Sequence, residues 1–174
     1  IWVQEHDESE VNASFIFERE LSLPEGCKAG VVITADSRYW LRINGGHAAS
    51  GPARGFRDLL FFDTVDVSNL LRSGINRIEI TVTHWGIDTF QYQRGAPGLR
   101  VAFYDVDTGR LLLTSDGSWR ARRAVELEQR VPRISIQQGF EEHFDARAAA
   151  NVPGGAWRAA TVLDEKLTSG RRLQ

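Results

Sequence analysis

The stretch GVVITADSRYWLRING (Gly30–Gly45) decides the fold class of this chain. Its first part, Gly30–Ala35, is apolar and β-branched, which favours a buried strand. After a two-residue polar break, Arg38–Ile43 alternates polar and apolar residues with the period of two that is typical of a half-buried strand. Asn44-Gly45 is the dipeptide most typical of a two-residue hairpin turn. The stretch therefore predicts two strands and a tight turn.

The same patterns recur along most of the chain and predict about ten short strands. The further strands are predicted at Phe15–Leu23, Leu59–Val65, Arg77–Trp85, Gly98–Asp105, Arg110–Thr114 and Trp119–Val125, with weaker ones at Phe140–Phe144 and Trp157–Leu163. Helical structure is confined to one turn between residues 66 and 74 and a short helix at Asp145–Ala150. We expect an all-β fold, an antiparallel β-sandwich of the jelly-roll type. A single domain over residues 1–168 would be followed by an exit linker, 169–174, toward a downstream domain.

Composition narrows the classes of partner. The chain has 174 residues, 42% of them hydrophobic and 25% charged, and a net charge of −2. These values argue against a disordered or membrane protein and against a general attraction to nucleic acid. Cys27 is the only cysteine, which excludes an intrachain disulfide and leaves the compartment undecided. A small neutral ligand is the simplest partner.

The segment THWGIDTFQYQRGAPG (Thr83–Gly98) carries more aromatic and polar side chains than a connecting loop usually does. A sugar stacks its C–H face on an aromatic ring and offers hydroxyls to carboxylates, amides and guanidinium groups. Trp85 or Tyr92 would stack on a sugar, and Asp88 and Gln93 would bind its hydroxyls. The alternative for Trp85 is a core position that closes one end of the sandwich.

A second loop, Gly46–Phe62, adds basic and acidic groups among glycine and proline. Glycine lets the backbone approach a ligand closely. Here Arg54 would bind hydroxyls, and Asp63 would orient Arg54 or hold an ion. The expected carbohydrate site thus combines Trp85, Asp88, Tyr92, Gln93, Arg54 and Asp63, each of which has ordinary surface or core packing as the alternative.

Other chemistry has less support in the sequence. Asp63 and Asp88 could serve as an acid/base pair only if the fold brings them to the required separation. The four histidines are scattered, so we expect no metal site built on histidine. Calcium stays open, because it accepts carboxylates and carbonyls from irregular loops such as those at Asp36, Asn44 and Asp63. No glycine-rich nucleotide motif is present.

Four stretches together resemble a known family. They are ADSRYWLRINGGHAASGPARGF (Ala35–Phe56), FFDTVDVSNLLRSGINRIEITVTHWG (Phe61–Gly86), TFQYQRGAPGLRVAF (Thr89–Phe103) and SDGSWRA (Ser115–Ala121). They are similar to the N-terminal β-sandwich modules of bacterial α-L-rhamnosidases, glycoside hydrolase family 78. The tripeptide Ile43-Asn44-Gly45 is common in galactose-binding-like domains, a fold that the resemblance also implies.

The resemblance implies an accessory module of a larger glycoside hydrolase. In that family the catalytic carboxylates lie on a separate helical barrel, so this chain by itself is expected not to be an enzyme. Some such modules bind a terminal sugar, in certain cases with calcium, and others only pack against the barrel. We therefore expect recognition of a rhamnose-type terminal sugar and a downstream catalytic domain as partners. A purely structural module is the main alternative, with Glu126–Gln138 as its docking segment, and an independent enzyme is the third.

Overall fold

The computed structural model describes residues 1–3, 10–56 and 59–163, and the backbone of 172–173. Its strands are β1 (Ala13–Leu23), β2 (Ala29–Asp36), β3 (Arg38–Ile43), β4 (Gly46–Gly51), β5 (Leu59–Leu60), β6 (Asp63–Asp66), β7 (Gly74–His84), β8 (Gly98–Asp105), β9 (Leu111–Thr114), β10 (Arg120–Arg123), β11 (Arg158–Ala159) and β12 (Arg172–Leu173). One short helix, α1 (Ala146–Ala150), and 3₁₀ turns at Ser68–Leu70 and Gly154–Ala156 complete the described structure. No helix in the described ranges is long and apolar enough to cross a membrane.

Two antiparallel sheets form the sandwich. The six-stranded sheet has the order β11-β10-β1-β7-β3-β4, and the four-stranded sheet has the order β6-β2-β8-β9. A short parallel pair, β5 and β12, lies outside both. The chain passes from the four-stranded to the six-stranded sheet between β2 and β3, within the stretch that decided the fold class. The prediction of an antiparallel β-sandwich is confirmed.

The core lies between the two sheets and follows from the alternation in each strand. Phe15 and Phe17 of β1 pair with Val82 and Ile80 of β7, and all four side chains are buried. Because successive residues point to opposite faces, one apolar face of each sheet is removed from water. Each fully buried side chain of this size contributes roughly 1.5–3 kcal/mol. The largest fully buried side chains are Trp119, Phe17, Phe103, Ile33, Leu41, Ile43, Ile78, Ile80 and Leu99.

The predicted tight turn between β3 and β4 is confirmed. Asn44 and Gly45 have φ angles of 52° and 84°, and Ile43 pairs with Gly46. Two successive positive φ angles match the right-handed twist of the strands, which explains the Asn-Gly dipeptide. The Asn44 side chain also donates to the Leu70 carbonyl, at 3.0 Å.

The outer face of the six-stranded sheet is polar and carries cross-strand ion pairs. Glu18 of β1 accepts hydrogen bonds from Arg77 of β7 and from Arg120 of β10. Arg122 points to the same face as Arg120, and Arg123 points to the other, where it lies 4.9 Å from the Phe15 ring centroid. The side chains of β10 therefore alternate between the two faces of the sheet, as those of a strand do.

Three predicted strands differ from the structure. Leu59–Val65 is divided into β5 and β6, because β6 pairs with β2 while β5 pairs with β12. Phe140–Phe144 forms only isolated bridges to Arg133 and Leu127, and Trp157–Leu163 is reduced to β11. The apolar content of a segment does not by itself decide whether that segment pairs with a strand that is distant in the sequence.

Residues 126–145, called here the cover segment, run across the outer face of the six-stranded sheet. Glu126 holds one end through Arg122, with Arg122 Nη2 and Glu126 Oε1 2.6 Å apart. Asp145 at the other end accepts from the backbone N–H groups of Arg147 and Ala148, which begins the predicted helix α1. Most of the predicted exit linker, 169–171 and 174, lies outside the described residues.

Candidate functional site

A cleft of about 310 Å³ opens at the end of the sandwich where β2 ends and β3 begins. We call it the rim cleft. The loop after β4, the strand β5 and the segment between β7 and β8 form its other walls. Its lining consists of Ala35, Asp36, Ser37, Arg38, Pro52, Ala53, Arg54, Gly55, Phe56, Leu60, Trp85, Gln91, Tyr92 and Gln93.

Asp36 forms the floor of the rim cleft and is only 2% exposed. Its Oδ1 atom accepts from the Tyr92 hydroxyl at 2.5 Å and from the Ser37 hydroxyl at 3.3 Å, and it lies 2.9 Å from His84 Nδ1. The Ser37 hydroxyl oxygen in turn accepts from the Trp85 backbone N–H at 2.9 Å. A buried carboxylate with several donors is a rigid anchor, and this one ties β2, β7 and the following loop together.

Trp85 is a wall of the cleft. Its side chain is only 9% exposed, and the indole packs so closely on Gly139 of the cover segment that a Cβ atom there would lie 2.6 Å from the ring. The Arg38 guanidinium carbon lies 5.9 Å from the indole centroid. Most of the Trp85 side chain therefore occupies a core position, which was the alternative expected from the sequence. Part of the side chain still lines the rim cleft.

Tyr92 holds in place the segment between β7 and β8, residues 85–97, which we call the aromatic loop. Its ring meets Trp85 edge-on with centroids 5.6 Å apart, and its hydroxyl oxygen accepts from the Gly95 backbone N–H at 3.2 Å. Burial, followed by the charge of Asp36, raises the pKa of the Tyr92 phenol well above its usual range. Tyr92 therefore stays protonated at neutral pH and donates to Asp36.

Asp88 stabilises the loop from within. Its Oδ1 atom accepts from the Arg94 backbone N–H at 2.8 Å, which is an ordinary way for aspartate to close a turn. Asp88 is exposed and is not among the residues that line the rim cleft. A direct contact between Asp88 and a sugar stays a prediction.

Asp63 connects the two sheets. Its Oδ2 atom accepts a hydrogen bond from the hydroxyl of Tyr39, which is buried between the sheets. Burial and this bond raise the pKa of the Tyr39 phenol. A Cβ atom on Gly51 would collide with the same carboxylate, which explains a glycine at the end of β4. Asp63 is thus hydrogen-bonded to Tyr39, and Asp63 is not among the residues that line the rim cleft.

Polar and apolar groups meet at the mouth of the cleft. Arg54 and Gln93 are exposed there, as are Arg38 and Gln91. Phe56 presents 56% of its surface to solvent, far more than Trp85, and its backbone exchanges two hydrogen bonds with that of Leu59. The neighbouring residues Arg57 and Asp58, which belong to the same sequence loop, lie outside the described residues.

The structure thus brings together four of the six residues expected from the sequence: Trp85, Tyr92, Gln93 and Arg54. Sequence reasoning missed Phe56, Arg38 and Gln91. For Phe56, the position of an aromatic residue beside Gly55 in the predicted loop Gly46–Phe62 was a signal that could have been used. Arg38 could not be found in this way, because its position beside Trp85 depends on the pairing of β3 with β7.

The three residues that marked the irregular loops for which calcium stayed open are engaged separately. Asn44 donates to Leu70 and Asn76, Asp36 lies in the floor of the rim cleft, and Asp63 binds Tyr39. In the described part of the chain, no group of three or more histidine, cysteine, aspartate or glutamate side chains is placed to hold a metal ion.

A second cleft, of about 360 Å³, separates the cover segment from the outer face of the six-stranded sheet. We call it the outer-face cleft. Trp40, which is exposed, and Thr81 form part of its sheet side, and Glu141, Glu142 and His143 form part of its cover side. Arg38, Trp85 and Gln91 line both clefts and therefore form the partition between them.

Comparison with solved structures places this architecture among sugar-active proteins. A family 78 rhamnosidase from Bacillus sp. GL1 superimposes with a TM-score of 0.83 and 34% identity over 92% of this chain and 18% of the rhamnosidase. A Streptomyces avermitilis α-L-rhamnosidase, solved in complex with L-rhamnose, gives a TM-score of 0.58 and 19% identity over 92% of this chain and 14% of that one.

A Pleurotus ostreatus lectin, solved in complex with GalNAc, shares the fold with a TM-score of 0.54 and 18% identity, over 94% of this chain and 40% of the lectin. This chain spans only 14–21% of the length of the rhamnosidases that it matches. No protein-family profile matches the sequence, and no curated protein is significantly similar to it.

Proposed function

We propose that this chain, which belongs to the β-sandwich modules of family 78 rhamnosidases, is a non-catalytic accessory module of a larger glycoside hydrolase and binds a saccharide in the rim cleft. The identity to the Bacillus rhamnosidase supports the parent class. The chain spans a small part of that protein, and we expect the catalytic carboxylates to lie in the remainder. Purified chain is accordingly expected to show no turnover of an aryl rhamnoside, and detectable turnover would contradict this assignment.

The observation that carries the binding proposal is the combination of groups in the rim cleft. An exposed ring, Phe56, lies with the amides of Gln91 and Gln93 and the guanidinium of Arg54 around one small concavity. A pyranose needs an apolar surface for its C–H face and directional partners for its hydroxyls. The volume, at the low end for ligand pockets, suits a terminal sugar.

Each residue has a defined part in the proposed complex. Phe56 stacks on the sugar, while Arg54 and Gln93 bind hydroxyls. Trp85 closes the inner wall. Tyr92 acts through Asp36 as a positioning residue, since its hydroxyl is already committed to that carboxylate.

The test is a two-dimensional ¹H–¹⁵N NMR titration of the chain with L-rhamnose and methyl α-D-galactoside, with and without calcium. We expect millimolar binding, with shifts confined to residues around the rim cleft. Phe56→Ala should weaken binding about tenfold through lost stacking. Phe90→Ala is the matched control, because Phe90 is equally exposed on the aromatic loop but does not line the cleft. Absence of shifts with both sugars would contradict the binding proposal.

A second candidate function, docking onto the remaining domains of the same polypeptide, is favoured by the cover segment. Ile134, Ile136 and Phe144 project from it with 57%, 73% and 61% of their surfaces exposed. Large apolar side chains grouped on one segment are typical of interaction surfaces. This function and sugar binding use different surfaces and are compatible.

Docking is tested by mixing the chain with the separately expressed remainder of its parent and measuring the complex by size-exclusion chromatography. Ile136→Ser is expected to weaken the complex. Ile75→Ser is the control, because Ile75 is similarly exposed on β7, outside the cover segment. Equal effects of the two substitutions, or no complex at all, would contradict docking through the cover segment.

A further inference from the structure

The charged groups of the rim cleft are unequally exposed. Its described lining contains three charged side chains, Asp36, Arg38 and Arg54. Both arginines are exposed at the mouth, whereas Asp36 is almost fully buried in the floor. A ligand that enters the cleft therefore meets two positive charges before it meets a negative one.

The Asp36 carboxylate in the floor of the rim cleft already has hydrogen-bonding partners within the protein. Its Oδ1 atom serves Tyr92, Ser37 and His84 together. Asp36 therefore organises the cleft and is not available as the main partner of a ligand.

The two arginines differ from Arg77, Arg120 and Arg122 of β7 and β10. Each of those three contacts a glutamate. For Arg38 and Arg54 the structure describes no ion pair within the ranges that it covers. Arg38 instead lies against the Trp85 ring, a packing that orients a guanidinium while its N–H groups remain able to donate.

We infer that the saccharide bound in the rim cleft is a uronic acid, free or at the end of an oligosaccharide, whose carboxylate is bound by Arg38 and Arg54. This inference rests on the proposed function. Guanidinium groups match a carboxylate in shape and charge and bind it in a bidentate manner. Phe56 receives the C–H face of the sugar, and the amides of Gln91 and Gln93 bind its hydroxyls.

The experiment compares methyl α-D-galacturonate with methyl α-D-galactoside, which differ only in the oxidation of C6, by NMR titration of the chain at low salt. We expect the galacturonate to bind about tenfold more tightly. Raising the salt to about 1 M, where the Debye length falls to about 3 Å, should remove most of that preference. Sodium acetate at the same concentrations tests for binding of a simple anion.

Arg54→Gln should abolish the preference for galacturonate, because it weakens galacturonate binding by about tenfold or more and galactoside binding, which loses only a hydroxyl partner, by a smaller factor. Arg110→Gln is the matched control, because it removes the same charge from an exposed residue near Asp105, at the opposite end of the β2–β8 pair from the cleft. Galacturonate affinity should not change in that variant.

The outcomes separate the two proposals. Equal binding of both glycosides at the rim cleft, a preference unaffected by Arg54→Gln, or equal affinity for acetate would overturn the uronate inference and leave saccharide binding in place. Absence of any shift at the rim cleft with either glycoside would overturn both. Shifts confined to the outer-face cleft would likewise overturn both.

Discussion

At the scale of single residues, the site depends on polar groups that are buried and paired. Asp36 and Asp63 are acidic residues of the kind that sequence reasoning assigns to ligands or ions, yet each binds a tyrosine hydroxyl instead. A carboxylate that is buried needs donors, because leaving it unpaired would cost several kcal/mol. Asp36 therefore fixes the geometry of the rim cleft, and Asp63 ties the two sheets together.

The pair Tyr39–Asp63 should stabilise the fold. Tyr39→Phe and Asp63→Ala are each expected to lower the free energy of unfolding by about 1–3 kcal/mol, since each leaves a partly buried partner without its hydrogen bond. The double variant should lose less than the sum, because both substitutions remove the same bond. Urea unfolding measures all three. Strictly additive losses would show that the two side chains are not coupled.

Tyr92 should make stability depend on pH in the alkaline range. An unfolded tyrosine loses its proton near pH 10.0, whereas burial and Asp36 raise the pKa of Tyr92 in the folded chain. The contribution of Tyr92 to the free energy of unfolding is thus complete below pH 10 and is lost as the pH rises further. Tyr92→Phe should cost about 1 kcal/mol at pH 8 and flatten the decline above pH 10. Urea unfolding at pH 8, 10 and 11 provides the measurement, and parallel curves for the two proteins would refute the assignment.

At the scale of elements, the site is formed where strands end. The β2–β3 connection supplies the floor, the loop after β4 supplies Arg54 and Phe56, and the segment after β7 supplies Trp85 and Tyr92. Strand alternation and turn residues predicted most of these elements from the sequence. The cover segment was not predicted as a packed element, because its irregular backbone has no period. Its contact with Trp85 depends on a glycine that local patterns do not identify.

Gly139 lets the cover segment approach Trp85. Gly139→Ala should lower stability by about 1–3 kcal/mol through overpacking and, by displacing the indole, change its fluorescence and weaken saccharide binding. Gly154→Ala is the control, since no atom lies within 4 Å of its added Cβ position. Thermal unfolding and tryptophan emission report both effects. An unchanged Gly139→Ala protein would mean that the segment does not pack on Trp85 in solution.

At the scale of the whole molecule, the sandwich follows from the sequence, but the composition of its site does so only in part. Trp85, Tyr92, Gln93 and Arg54 could be predicted because they crowd two unusual loops. The inclusion of Arg38 and the exclusion of Asp63 and Asp88 could not, since they depend on how distant strands pair and on which polar groups satisfy one another. The corresponding segment of the Bacillus rhamnosidase has the same architecture, so the sandwich itself is shared with that protein.

The most direct test of saccharide binding in the rim cleft is a filtered NOE experiment on the chain with methyl α-D-galacturonate. The expected result is a set of NOEs between the sugar ring protons and the aromatic protons of Phe56, with none to Trp40 in the outer-face cleft. NOEs to Trp40 alone, or no intermolecular NOE at saturating sugar, would contradict the account.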